Sequence, residues 1–191
     1  MPKSKKTAPR VSKKPKNKTS PRISAKAAKG SSATLEGKKA PAFQLADASG
    51  KTVALKDLLG ANNLVLYFYP KDMTPGCTIE ACSFRDHNDR IAALGATVVG
   101  VSADSSASHT KFTDKHGLNF PLLADPEHKV TGLYGVYKMK SLYGRQFMGI
   151  ERTTFVIGPD QTLLHIFPKV TPEGHAEQVL ALIEGWKKKH K

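Results

Sequence analysis

The sequence predicts an α/β domain with a mixed central sheet and helices on both of its faces. Two features carry that expectation. Leu64-Val-Leu-Tyr-Phe68 and Thr97-Val-Val-Gly-Val101 are continuous apolar runs, the pattern of strands covered on both sides rather than one. Helical periodicity alternates with them, and the chain closes on a strand–turn–strand signal followed by an amphipathic stretch. At 191 residues there is room for one domain of ordinary size and an appendage.

The appendage is N-terminal. Residues 1–35 hold eleven Lys or Arg and no acidic residue, against nineteen basic and sixteen acidic residues in the rest of the chain. The tail therefore accounts for most of the formal net charge of +14. Its only larger aliphatics are Val11, Ile23 and Leu35, set among Pro, Ser, Thr and Ala. Such a segment buries too little apolar surface to offset its ordering entropy. Residues 1–36 are expected to be a disordered basic tail, and residues 37–191 the folded domain.

Within the domain, Phe43–Leu45 and Thr52–Ala54 flank Ala48-Ser-Gly-Lys51 and predict a short hairpin. A strand over Asn63–Tyr69 leads into a loop stiffened by Pro70 and Pro75. A helix over Thr78–Leu94 follows, with Ala81, Phe84, Ile91 and Leu94 at compatible spacing and Gly95 as its stop. Thr97–Val101 is the next strand, and Ser106–His116 predicts a polar surface helix ending at Gly117. Pro121–Leu123 predicts a short strand, and Pro126–Tyr134 a helix closed by Gly135. Tyr137–Ile150 lacks a clean period and reads as a long loop. Thr153–Ile157 and Thr162–Phe167, about Gly158-Pro-Asp-Gln161, predict a hairpin. Thr171 as cap and Pro172 at the first position open a final helix, with Val179, Leu180, Leu182, Ile183 and Trp186 as its buried side.

Several classes of protein are disfavoured by composition. No stretch approaches the roughly 20 apolar residues of a membrane span, and no apolar segment follows the basic start as in a secretory signal. Two cysteines are too few for a disulfide framework, which favours a reducing compartment. There a cysteine pair suggests redox or metal chemistry rather than a structural staple. A metal site from Cys77, Cys82 and His87 fits no common zinc spacing. Neither a G-x-G-x-x-G nor a P-loop sequence occurs, so no cofactor is expected.

Both cysteines lie in one block, Tyr67-Phe-Tyr-Pro-Lys-Asp-Met-Thr-Pro-Gly-Cys-Thr-Ile-Glu-Ala-Cys82, where a strand gives way to a helix. At a helix start the backbone N–H groups lack partners and the dipole favours an anion, which suits a thiolate at Cys77. A thiol of ordinary pKa ~8.5 is only ~3% ionised at pH 7, whereas a pKa of ~6 would make it roughly 90% thiolate. A thiolate that attacks a peroxide O–O bond becomes a sulfenic acid and releases water or an alcohol. Thr74, in the same loop, offers a hydroxyl to the sulfur or the peroxide, and Pro70 and Pro75 hold that loop stiff. Arg152, just before a strand able to lie beside Asn63–Tyr69, offers a permanent positive charge.

The block Tyr67-Phe-Tyr-Pro70…Thr74-Pro-Gly-Cys77-Thr-Ile-Glu80-Ala-Cys82…Phe84-Arg-Asp86 resembles the active-site segment of peroxiredoxins. Its Cys-x4-Cys spacing resembles the bacterioferritin-comigratory-protein or PrxQ subgroup. The similarity runs from about Lys38 to the C-terminus, and Gly149-Ile-Glu-Arg152-Thr-Thr-Phe-Val-Ile157 resembles the family's arginine-bearing strand. The resemblance implies a thioredoxin-like fold and a thiol peroxidase for hydrogen peroxide and organic hydroperoxides, active in antioxidant defence and cell redox homeostasis. It makes Cys77 the peroxidatic cysteine and Cys82 the resolving one, joined in an intramolecular disulfide that thioredoxin recycles. Pro70, Thr74 and Arg152 match the remaining active-site positions, and Glu80 falls where a side chain would hold Arg152. In an ideal helix, residues five apart have Cα atoms ~8.6 Å from each other, whereas a disulfide needs roughly 4.4–6.8 Å. A Cys77–Cys82 bond therefore requires the first helical turn to unwind. Intramolecular pairing lets a single chain complete the cycle, so a monomer is expected.

Other readings stand beside this one. A thiol–disulfide oxidoreductase without peroxidase activity would more often carry Cys-x-x-Cys. A chromatin or nucleic-acid-binding protein is suggested by the tail, where Lys13, Lys14 and Lys16 resemble a short nuclear-import signal. The same tail suits non-specific contact with DNA phosphates, or simple solubilisation. The expected location is cytoplasmic, with nucleoid association in a bacterium, or nuclear in a eukaryote. No membrane contact is expected. His87, His109, His116, His128, His165, His175 and His190 are scattered and are assigned to the surface; Arg85 reads as a solvated helix residue or one that touches substrate. Tyr134, Tyr137, Met139, Tyr143, Phe147 and Met148 suit either ordinary packing or a hydroperoxide-binding wall.

Overall fold

A computed structural model describes residues 35–142 and 144–189. The tail through residue 34, including Lys13, Lys14 and Lys16, lies outside the described residues, as do Tyr143 and His190. In chain order the elements are β1 (Gln44–Asp47), β2 (Thr52–Ala54), α1 (Leu55–Leu59), β3 (Asn63–Phe68), α2 (Pro75–Ala93), β4 (Ala96–Ser102) and α3 (Ser106–His116). They continue with β5 (Leu122–Ala124), α4 (Lys129–Leu133), β6 (Tyr137–Leu142), β7 (Arg145–Ile150), β8 (Thr153–Ile157), β9 (Leu163–Phe167) and α5 (His175–Lys189).

Alternation along β3 divides the core. Leu64, Leu66 and Phe68 point to one face of the sheet, where they meet Leu55 and Leu59 of α1, Val130 of α4, and Tyr134. Val65, Tyr67 and the following Tyr69 point to the other, against Ala81, Phe84 and Ile91 of α2, Phe112 of α3, and Val179, Leu180 and Ile183 of α5. Each of these β3 side chains is buried, and each contributes about 2 kcal/mol of transfer free energy. The strand order is β2-β1-β5-β4-β3-β8-β9. β3, β4 and β5 run parallel, while β1, β2, β8 and β9 pair antiparallel to their neighbours. This is the mixed, doubly covered sheet that the apolar runs predict.

Register brings the distant chemistry together. β3 and β8 pair with Phe68 opposite Thr153, so the loop after β3 and Arg152, just before β8, share one end of the sheet. Pro70 follows at once. Tyr69 still donates its amide to Val101 O at 3.1 Å, and Pro70, lacking an N–H, cannot continue that pairing.

Four expectations are corrected. Tyr137–Ile150 is a β6–β7 hairpin standing apart from the main sheet, not a loop. Its strands are largely solvated, so no buried face imprints a two-residue period. The last helix begins at His175, not Thr171, because Gly174 sits at φ 73° in the left-handed region and breaks the helical path. α4 begins at Lys129, where the Asp125 carboxylate accepts the amides of Lys129, Val130 and Thr131. α3 is not merely a surface helix, since His109 and Phe112 are both fully buried.

Candidate active site

The site is built where β3 ends and α2 begins. Thr74 is the N-cap of α2 in extended conformation, and Pro75 takes the first helical position, where its missing N–H costs nothing. The first i→i−4 bond runs from Thr78 N to Thr74 O at 2.9 Å. The amides of Gly76 and Cys77 precede it and have no acceptor within the helix, so they and the dipole face any anion at the Cys77 sulfur. Gly76 sits at a close approach. A Cβ there would stand 3.2 Å from Pro172 Cγ and 3.5 Å from Arg152 Nη2.

Arg152 closes the site from β8. Its Nη2 donates to Cys77 Sγ at 3.2 Å, while its Nη1 donates to Glu80 Oε2. Cys77 and Glu80 are three residues apart on α2, hence on one helical face, and a single planar guanidinium spans both. Cys77 is 2% exposed and Glu80 is fully buried, so these interactions work in a poorly solvated setting. Burial pushes the Glu80 carboxyl up to about 7, against the opposing pull of Arg152. Burial also opposes the charge on Arg152, but Glu80 and Cys77 outweigh it and hold its pKa above the ordinary arginine value. The second carboxylate oxygen, Glu80 Oε1, has no hydrogen-bond partner among the described residues.

The remaining candidates fall as follows. The Thr74 hydroxyl donates to Lys71 O at 3.0 Å rather than to the sulfur, which leaves its lone pairs to accept from a bound peroxide. Cys82 lies five residues along α2 from Cys77, half-buried, and both are free thiols. Arg85 is half-buried and tied to Asp86 Oδ1 at 2.8 Å and to His116 O at 2.5 Å, not freely solvated. Tyr134 is a core residue whose hydroxyl reaches Pro41 O, Tyr137 stacks on His128, and Met139, Phe147 and Met148 are exposed on the outer hairpin.

Two histidines assigned to the surface are buried. His175 shares a 2.7 Å hydrogen bond with Thr154 Oγ1 and stands edge-on to Phe84 and Phe167; burial lowers its pKa to about 4, so it is neutral at pH 7. His109 contacts Asp72, which sits in the loop before Thr74 and is itself buried. Neither Asp72 nor His109 carries a local sequence signal for burial, because the contact that joins them, like that of Ser108 with Asp72, spans more than thirty residues. The Ser105 cap fixes where α3 starts, and that start is what aims His109 inward.

Comparison with known proteins gives the following similarities. Residues 36–166 match the AhpC/TSA family. The chain is 46% identical over 153 residues to Peroxiredoxin Bcp of Bacillus subtilis (strain 168), spanning 80% of this chain and 97% of that protein. It is 41% identical over 154 residues to Peroxiredoxin Bcp of Escherichia coli (strain K12), spanning 81% and 96%. A solved mutant of PrxQ from Xylella fastidiosa superposes with a TM-score of 0.75 at 35% identity, covering 80% of this chain and 96% of that one. The bacterioferritin comigratory protein of Xanthomonas campestris, described for its alkyl peroxide reduction activity, gives 0.71 at 38%, covering 75% and 90%.

Proposed function

Since the chain belongs to the AhpC/TSA family and is a peroxiredoxin, hence a peroxidase, we propose that Cys77 is its nucleophile and Cys82 its resolving thiol. The carrying observation is Arg152 Nη2 at 3.2 Å from Cys77 Sγ, at the start of a helix. The sulfur's electron pair attacks one peroxide oxygen and the O–O bond breaks. The departing oxygen takes a proton and leaves as water or alcohol, and Cys77 becomes a sulfenic acid. Arg152 and the free amides of α2 stabilise the negative charge that moves from sulfur to the leaving oxygen. Thr74 accepts the hydrogen bond of the incoming hydroperoxide and holds it in line.

The sulfur of Cys82 then attacks the sulfenic sulfur, water leaves, and an intramolecular disulfide forms. A dithiol donor of the thioredoxin type restores both thiols by exchange. Hydrogen peroxide and organic hydroperoxides are the proposed substrates, the latter supported by the activity for which the Xanthomonas relative is described. A monomer suffices for this cycle. The basic tail adds a proposed non-specific contact with DNA phosphates, and a cytoplasmic or nucleoid location with it. Cys77→Ser abolishes turnover in a thioredoxin-coupled assay. Cys82→Ser consumes one peroxide per chain and leaves a sulfenic acid that dimedone traps. Wild-type turnover by Cys82→Ser with thioredoxin would refute the assigned pairing.

A further inference from the structure

Behind the catalytic loop lies a buried anion that the peroxidase chemistry does not use. Asp72, 4% exposed, sits two residues before the Thr74 cap. Its Oδ1 accepts from the Tyr69 hydroxyl at 2.7 Å, and its Oδ2 from the Ser108 hydroxyl at 2.7 Å and from His109 Nδ1 at 3.0 Å. The Asp72 amide donates to Asp104 Oδ2 at 2.8 Å, an oxygen that the Ser102 hydroxyl also reaches at 2.8 Å. The loop is thereby fastened to the start of α3 and to the end of β4 by both its side chain and its backbone.

The charge state follows from these contacts. Burial pushes the Asp72 carboxyl up, but the hydrogen bonds from His109, Ser108 and Tyr69 together outweigh it and hold it below the usual carboxylate range. An ionised carboxylate accepts only, so His109 Nδ1 is the donor in this contact, and Nε2 is left buried without a partner among the described residues. Between Asp72 and Thr74, Met73 is held at φ 59° with its side chain exposed. A residue with a Cβ avoids that region unless its neighbours impose it. The Asp72 anchor on one side and the helix cap on the other impose it here.

We propose that Asp72 is a positioning residue for peroxide reduction: through Tyr69, Ser108 and His109 it fixes the loop that presents Thr74 and the start of α2 to the hydroperoxide. This inference rests on Cys77 being the nucleophile. The full chain is tested in the Cys82→Ser background, which leaves Cys77 as its one thiol, with two reagents. Alkylation by iodoacetamide needs only the thiolate, whereas hydrogen peroxide also needs the loop's polar groups aligned. Asp72→Asn slows peroxide oxidation about tenfold or more while alkylation changes less than about threefold, since misplacing positioned groups penalises only the oriented reaction. Ser108→Ala removes one of the three donors and shifts the ratio the same way by about threefold. Ser108→Ala decides the matter by itself if Asp72→Asn does not fold. An unchanged ratio of the two rates, whatever happens to the melting temperature, overturns the proposal while leaving the nucleophile intact. A wild-type peroxide rate no faster than that of free cysteine overturns both.

Discussion

At the level of single residues, the charge on Glu80 decides where Arg152 points. Its carboxyl titrates near 7 in the folded protein against 4.5 for an exposed glutamate. As pH falls through about 7, Glu80 takes up a proton and its hold on Arg152 weakens, so peroxide oxidation is slower at pH 6 than at pH 8. Stability runs the other way. Between pH 4.5 and about 7 the native state binds more protons than the unfolded chain, so stability falls as pH rises across that window. Glu80→Gln flattens this trend relative to wild type, as urea denaturation at pH 5 and pH 8 will reveal. Identical pH dependence of wild type and variant would show that Glu80 is not the titrating group. Arg152→Met slows Cys77 oxidation about a hundredfold, the scale of losing one preorganised charge donor. Arg152→Lys restores little, because a point charge cannot span Sγ and the carboxylate at once. A lysine variant within about threefold of wild type would reduce the arginine's role to net charge.

Among the elements, α2 carries a conflict between its two thiols. It runs unbroken from Pro75 to Ala93 and includes both Cys77 and Cys82. Helical geometry keeps residues five apart beyond disulfide reach, so the proposed Cys77–Cys82 bond requires the first turns to open. Hydrogen–deuterium exchange over residues 77–84 is therefore faster in the oxidised protein than in the reduced one, and equal protection in the two forms would contradict this. The end of α2 was legible because Gly95 punctuates it, but its start lies at Pro75, three residues before the expected Thr78, since a proline suits the first helical position as well as a loop. The β6–β7 hairpin was not legible. Met139, Phe147 and Met148 are apolar but exposed, so their order follows no burial rule that a sequence pattern could report. The start of α5 was misplaced for a different reason: Thr171-Pro172 has the composition of a helix start, yet Pro172 is used to pack beside Gly76 at the active site.

For the molecule as a whole, the sheet was legible and the tertiary chemistry only in part. The apolar runs of β3 and β4 announce a doubly covered sheet, and the reactive block announces itself by its spacing. That Arg152 reaches Cys77 follows from antiparallel pairing of β3 with β8, a relation across 75 residues to which sequence spacing alone gives no access. The Asp72 cluster was invisible for the same reason, since its donors come from β3's end and from α3. The basic tail is a separate matter of long-range charge. If it engages DNA, full-length protein binds duplex without sequence preference, and each phosphate contact contributes about −0.9 to the slope of log affinity against log salt. Residues 37–191 alone lose that binding; equal affinity with and without the tail would remove DNA from its role.

Everything above turns on the sulfur of Cys77 being aimed at and activated toward a peroxide bond. Stopped-flow oxidation of the reduced full-length chain by hydrogen peroxide at pH 7, monitored by loss of Cys77 thiol in the Cys82→Ser background, addresses that directly. The geometry predicts one rapid oxidation per chain, faster than free cysteine by at least about three orders of magnitude, as expected when oriented charge donors and proximity act together. A rate equal to that of free cysteine at the same pH would contradict it.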